Sequence, residues 1–260
     1  MKTDSILNSI EKRRFICDAG KADSVADVLK LARTLVIEKA KKAGVSVDDA
    51  NQYLKQLTAM GKCIFYAEKA RDPIAFIQHY ILFKYQRFLM GDTGAMGDAV
   101  ENVCHLVAFR EMWRTNKIHL HVSAIDKLDI TINGIPFEVG HNAKTWNCIK
   151  TEVEHQKHKG VIYGVFDADT MFQIVELTKV NPKKAITAFC NRLFVFENKA
   201  DYFDFMGKAI NQRILPDGRI VSVTQYNKYR HNIFMREVKA REIPTLTQYM
   251  KALGKNDYLL

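Results

Sequence analysis

Asp129 and Glu138 flank an Asn133-Gly134 pair in the segment KLDITINGIPFEVG. Alternating apolar and polar residues on both sides of Asn-Gly are the strongest short-range signal for a β-hairpin. Leu128, Ile130, Ile132, Ile135, Phe137 and Val139 share one face, the expected core face. Lys127, Asp129, Thr131, Pro136, Glu138 and Gly140 share the other. A two-residue turn sets Ile132 opposite Ile135, and therefore Asp129 directly opposite Glu138. That is a non-hydrogen-bonded pair, with Cα atoms about 4.5 Å apart. Two carboxylates so placed repel each other and cost stability. A divalent cation between them removes the repulsion, and hard oxygen ligands suit Mg²⁺, with Mn²⁺ as a substitute. Without a cation the pair is a solvated strand face. With one, the ion keeps several waters and can bind phosphate oxygens as well.

The elements expected around this hairpin describe a mixed α/β core. A helix at 98–114 leads to strands at 118–125, 127–133 and 135–140. A helix at 144–158 follows, then strands at 160–167 and 171–178. This core resembles the PD-(D/E)xK nuclease superfamily, which includes many restriction endonucleases, over residues 98–179. The resemblance implies a restriction-endonuclease-like mixed sheet flanked by helices. It implies that Asp129 and Glu138 bind metal, joined by the main-chain carbonyl of Val139 and by Glu101 on the preceding helix. The family's lysine follows the second acid at x-Lys, where this chain has Val139-Gly140. That lysine orients or activates the attacking water. Lys127, which the hairpin register sets opposite Gly140, and Lys144 are the candidates for its role. His141 is a further candidate for phosphate contact or for a base.

The resemblance implies a type II restriction-type endonuclease acting on double-stranded DNA as a homodimer, since cutting both strands needs two sites. The alternative is a catalytically inactive DNA-binding protein on a nuclease-like fold. The net charge of +10 at pH 7 suits a polyanionic partner. Residues 181–260 carry fourteen Lys plus Arg against seven Asp plus Glu, so much of the excess sits in the last third. There the stretch Tyr226–Arg236 interleaves aromatics with cations, and Lys228, Arg230 and Arg236 are candidate DNA contacts.

Residues 1–90 read as a helical region and 91–260 as the nuclease-like core with a basic C-terminal part. GDTGAMG at 91–97 is the clearest break. A first helix carries Val25, Val28, Leu29, Leu31, Leu35 and Val36 on an apolar face and stops at Gly44. A second starts at the N-cap Ser46 and stops at Gly61, and a third covers Pro73–Met90. The join Ala40–Ser46 resembles the turn of a helix-turn-helix, which would offer Asn51, Gln52, Lys55 and Gln56 to base edges. A plain helical hairpin is the competing reading. Beyond the core, Leu193–Glu197 reads as a strand, Lys199–Asn211 as a helix, 219–224 as a strand after the turn at 216–218, and 245–253 as a last helix.

Other chemistries find less support. The pairs His119/His121 and His155/His158 have no completing cysteine or carboxylate for zinc. Asp167 and Asp169 could approach a site, and Glu176-Leu177-Thr178-Lys179 mimics the acid–lysine pattern with one extra residue. GDTGAMGD lacks the GKS/T ending of a phosphate loop. Five cysteines without CxxC spacing suit reduced thiols in a cytoplasm. No apolar run is long enough for a membrane span.

Overall fold

The computed structural model describes residues 6–92, 94–108, 130–141, 158–209, 219 and 233–254. The chain divides into two compact units. One comprises Met1–Val122 with Val175–Ile186, and the other Ser123–Ile174 with Thr187–Leu260.

The first unit is helical. Helix α1 (Ser9–Lys21) opens with a capping box, in which Asn8 and Glu11 satisfy each other's backbone N–H groups. Helix α2 (Val25–Ala43) is capped by Ser24 and ends at Gly44, whose φ of +63° is the left-handed stop expected of a glycine there. Helix α3 (Val47–Glu68) starts at its Ser46 cap, as the sequence indicates, and continues through Gly61. Gly61 is a packing residue rather than a terminator. A Cβ on it would lie 2.6 Å from Val28 Cγ1 and 2.8 Å from Phe15 Cζ, so α1 and α2 approach the bare backbone of α3.

Helix α4 (Pro73–Leu89) has Asp72 as N-cap and proline in its first turn. Helix α5 (Ala95–Ala108) belongs to this helical unit, so the unit extends past the glycine-rich 91–97. The cause is visible between α4 and α5. The Lys84 ammonium, with its side chain 4% exposed, lies 2.5 Å from Asp98 Oδ2, between the rings of Tyr80 and Phe83. Asn102 and Tyr80 donate to the Asp98 carbonyl.

The core face of α2 differs from the expected one. Val28, Ala32, Val36 and Ala40 are buried, whereas Leu29 and Leu31 are exposed. Small residues at every fourth position let α2 lie close against its neighbours, so the larger leucines face outward.

Among the described residues, the second unit is built on a four-stranded mixed sheet in the order β1 (Ile130–Ile132), β2 (Ile135–Gly140), β3 (Gly160–Gly164) and β4 (Leu193–Phe196). The β2–β3 pair is parallel and the outer two pairs are antiparallel. Ile130, Phe137, Val139, Ile162 and Val195 share one face, and Tyr249 of α9 (Leu246–Ala252) packs edge-on against Phe137 there. Val161, Tyr163, Phe194 and Phe196 share the other, packed with Tyr202 and Phe205 of α8 (Lys199–Ala209) and with Ile233, Phe234 and Val238 of a helical segment over 233–240. Gly160 has no room for a side chain: a Cβ would meet Phe137 Cε1 at 2.5 Å and the Phe196 carbonyl at 2.7 Å.

The strand expected at 160–167 ends at Gly164, and the one expected at 171–178 is helical. Helix α6 (Ala168–Val180) buries Met171, Ile174, Val175 and Thr178. Their spacing is the helical one, and it overrides the β-branched composition that suggested a strand. Residues of α6 through Ile174 belong to the second unit and those from Val175 to the first. Helix α7 (Pro182–Cys190) follows. The expected strand Leu193–Glu197 and helices Lys199–Asn211 and 245–253 are present as β4, α8 and α9. Expectations for 118–125, 127–129, 144–157, 216–218 and 220–224 lie outside the described residues. Among the described residues, no helix is long and apolar enough to cross a membrane. Among the described residues, Cys17, Cys63, Cys104 and Cys190 form no disulfide, and Cys148 lies outside the described residues.

Candidate functional site

The hairpin forms with the register read from its sequence. Asn133 and Gly134 both have positive φ, +51° and +78°, the signature of a type I′ turn. Ile132 faces Ile135, Thr131 faces Pro136, and Ile130 faces Phe137. Asp129, which the sequence reading sets opposite Glu138, lies outside the described residues, as do Lys127 and Lys144.

Glu138 is not on a solvated face. Its neighbour on β3 is Val161, and beyond that on β4 stands Phe196, so its carboxylate borders the aromatic core. The side chain is 15% exposed, and Oε2 lies 3.4 Å from Nε2 of His158, itself 1% exposed. His158 stands two residues before β3, and the parallel pairing of β2 with β3 carries it to the acid. The sequence singled out His158 only as half of a zinc-like spacing with His155, which lies outside the described residues together with His119 and His121.

The remaining positions are distributed as follows. Val139 is buried on the opposite face from Glu138. Gly140 shares the Glu138 face and pairs with Tyr163, a member of the aromatic core. A lysine at 140, as in the family pattern, would start beside these rings, and glycine leaves them undisturbed. His141 follows at a bend. Its Nδ1 is buried without a hydrogen-bond partner among the described residues, and burial lowers its pKa, which favours the neutral imidazole. Glu101 stands on α5 in the helical unit, close enough to Tyr80 to help raise the phenol's pKa after burial and Asp98.

Asp167 caps α6, accepting from the Thr170 N–H at 2.6 Å, which accounts for its position just before that helix. Glu176 and Lys179, the imitation of the acid–lysine motif, form an exposed ion pair one turn apart on α6.

Of the candidate DNA contacts, Asn51 and Lys55 are exposed on α3, Gln52 is half-buried, and Gln56 is 6% exposed within the helical core. Val28 packs against Gly61 about four turns from the Gly44–Ser46 connection on either side. Thus α2 and α3 run side by side and antiparallel. That is a helical hairpin; the helices of a DNA-reading helix-turn-helix cross at about 90–120°. Arg236 is exposed with its guanidinium 2.6 Å from Glu237, and Lys228 and Arg230 lie outside the described residues.

Among the described residues, no group of three or more His, Cys, Asp or Glu gathers as a metal site. No known protein family, curated protein or solved structure matches the chain. The resemblance to the nuclease superfamily therefore rests on the hairpin and its acids alone.

Proposed function

We propose that this protein is a metal-dependent DNA endonuclease of the restriction type, working as a homodimer on double-stranded DNA. The observation that carries the reading is Glu138. It is a carboxylate on a regular strand, half sunk beside a packed core, held against His158, and positioned by a hairpin whose turn and register follow the sequence. Buried carboxylates are costly unless compensated, which makes such a position a candidate for function.

The donor chemistry fits a hard cation. The Glu138 carboxylate is oriented by its surroundings yet partly accessible, and Asp129 and the Val139 carbonyl supply further oxygen ligands of the kind Mg²⁺ or Mn²⁺ takes. The bound ion supplies Lewis-acid activation of water and neutralises charge on the scissile phosphate. Asp129 and Glu138 hold it, His158 fixes the Glu138 side chain, and Lys127 or Lys144 orients the attacking water. The chain's net charge of +10 attracts the polyanion.

A second reading, a DNA-binding protein without catalysis, is favoured by Gly140 in the lysine position and by the engagement of Glu138 with His158. Incubation of the purified chain with supercoiled plasmid in Mg²⁺, Mn²⁺ or EDTA decides between them. Cutting that needs the metal and falls at least ~100-fold in Asp129→Ala and Glu138→Ala supports the nuclease, the scale of losing a group used in the transition state. Binding without cutting in either metal overturns it.

A further inference from the structure

Helix α2 meets its own unit through a narrow stripe, Val28, Ala32, Val36 and Ala40. On the opposite side, around Thr34, stand Asp27, Lys30, Leu31, Ile37, Glu38 and Lys41, all exposed. At about 100° per residue these six fall within about 60° of Thr34 on either side. Their spacing is that of a seam between paired helices. Two of them are large apolar residues with no cover: Leu31 is 37% exposed and Ile37 53%.

The charges along this seam are ordered. Asp27 stands at its N-terminal end and Lys41 at its C-terminal end, with Lys30 and Glu38 in the opposite order between them. A parallel copy in register would set Asp27 against Asp27 and Lys41 against Lys41. An antiparallel copy, turned about a two-fold axis at Thr34, sets Asp27 against Lys41, Lys30 against Glu38 and Leu31 against Ile37. Symmetry makes each pairing occur twice. A groove of about 670 Å³ between α1 and α2, walled by Phe15, Leu31 and Leu35, opens along one edge of this face and can receive the Ile37 side chain of the second copy.

We infer that the outward face of α2 is a self-association surface whose occupant is a second copy of this chain, docked antiparallel about Thr34. The inference stands on α2 and its groove and does not depend on nuclease activity. Sedimentation velocity of the full chain over a concentration series, at low and high salt, tests it. The expected result is a dimer that forms with rising concentration and weakens with salt, because its charge pairs are exposed.

Lys30→Glu sets like charges against Glu38, and Glu38→Lys does so against Lys30. Neither residue caps a helix. Each variant alone is expected to be monomeric where the parent is dimeric. An equimolar mixture regains the dimer, since each variant then supplies the charge the other lacks. Asp27→Lys and Lys41→Asp should behave the same way, with circular dichroism confirming that the fold survives a change beside the Ser24 cap. A monomer at every concentration, a dimer indifferent to the charge reversals, or a mixture that stays monomeric would overturn the inference.

Discussion

His158 Nε2 lies 3.4 Å from Oε2 of Glu138, and the two side chains are 1% and 15% exposed. The contact joins β2 to the segment that leads into β3, so it acts in the fold whether or not Glu138 also acts in chemistry. A loss of activity in a Glu138 variant is therefore interpretable only beside its stability. We expect His158→Phe, which keeps an aromatic ring and removes the imidazole nitrogens, to destabilise the protein by about 1–3 kcal/mol, the range for breaking a buried polar contact. Urea denaturation of the parent, His158→Phe, Glu138→Gln and the double variant should give a coupling energy of about 0.5–3 kcal/mol. Strictly additive effects would show that the two residues do not support each other.

Lys84 and Asp98 should respond unequally to mutation. The lysine side chain is 4% exposed and the aspartate 49%. Asp98→Asn strands an ammonium in the α4–α5 interface, and removing one partner of a buried pair costs about 3 kcal/mol or more. Lys84→Met leaves a carboxylate that water already reaches and adds an apolar chain between the Tyr80 and Phe83 rings, so it should change stability by less than about 1 kcal/mol. Thermal denaturation of both variants checks the asymmetry. Equal losses would mean that solvation of Asp98 does not govern the pair.

Gly61 offers a second test of packing inside the helical unit. Alanine in a helix interior is favoured over glycine by about 1 kcal/mol on propensity alone. Here its Cβ would lie 2.6 Å from Val28 Cγ1, and Val28 is a fully buried β-branched residue that cannot swing aside. Overpacking of this kind costs about 1–3 kcal/mol. Gly61→Ala is therefore expected to lower the unfolding midpoint, whereas Gly97→Ala on α5, where a Cβ meets nothing within 4 Å, should raise it or leave it unchanged. A stabilised Gly61→Ala would show that α1 and α2 yield easily.

These residues also show what the sequence could and could not disclose. The Asn133-Gly134 turn and the pairing of Ile130 with Phe137 were legible because they depend on a local conformational demand and on alternation. The cap Ser46 and the stop at Gly44 were legible for the same local reason. Gly61 was misread as a stop because its role lies in Phe15 and Val28, on other helices. The outward turn of Leu29 and Leu31 was hidden because apolarity ranks leucine above the alanines that pack. Thr178 belongs to a helical stripe that a composition of Thr, Val and Ile disguised as a strand. The approach of His158 to Glu138 was not legible at all. It follows from the parallel register of two strands separated by the segment 141–159, and no spacing rule within the sequence encodes that register.

His79 gives a pH-dependent prediction. It is 9% exposed and stacked on Tyr66 at 5.3 Å between ring centroids. Burial, aided by nearby Lys62, lowers its pKa to about 4, whereas the unfolded chain titrates it near its ordinary value of 6.5. Between these values the unfolded state holds a proton that the folded state refuses, so the contribution of His79 to stability falls as pH falls. It is complete above about pH 6.5 and lost by about pH 4, a difference of about 3 kcal/mol at 1.36 kcal/mol per pKa unit. His79→Phe keeps a ring for Tyr66 and has no proton to gain. In urea denaturation at pH 7, 6, 5 and 4 (pH values at about one-unit steps across the window) the parent should lose stability more steeply than this variant. Two parallel curves would place the acid sensitivity of the helical unit elsewhere, with the His79 imidazole protonating as readily folded as unfolded.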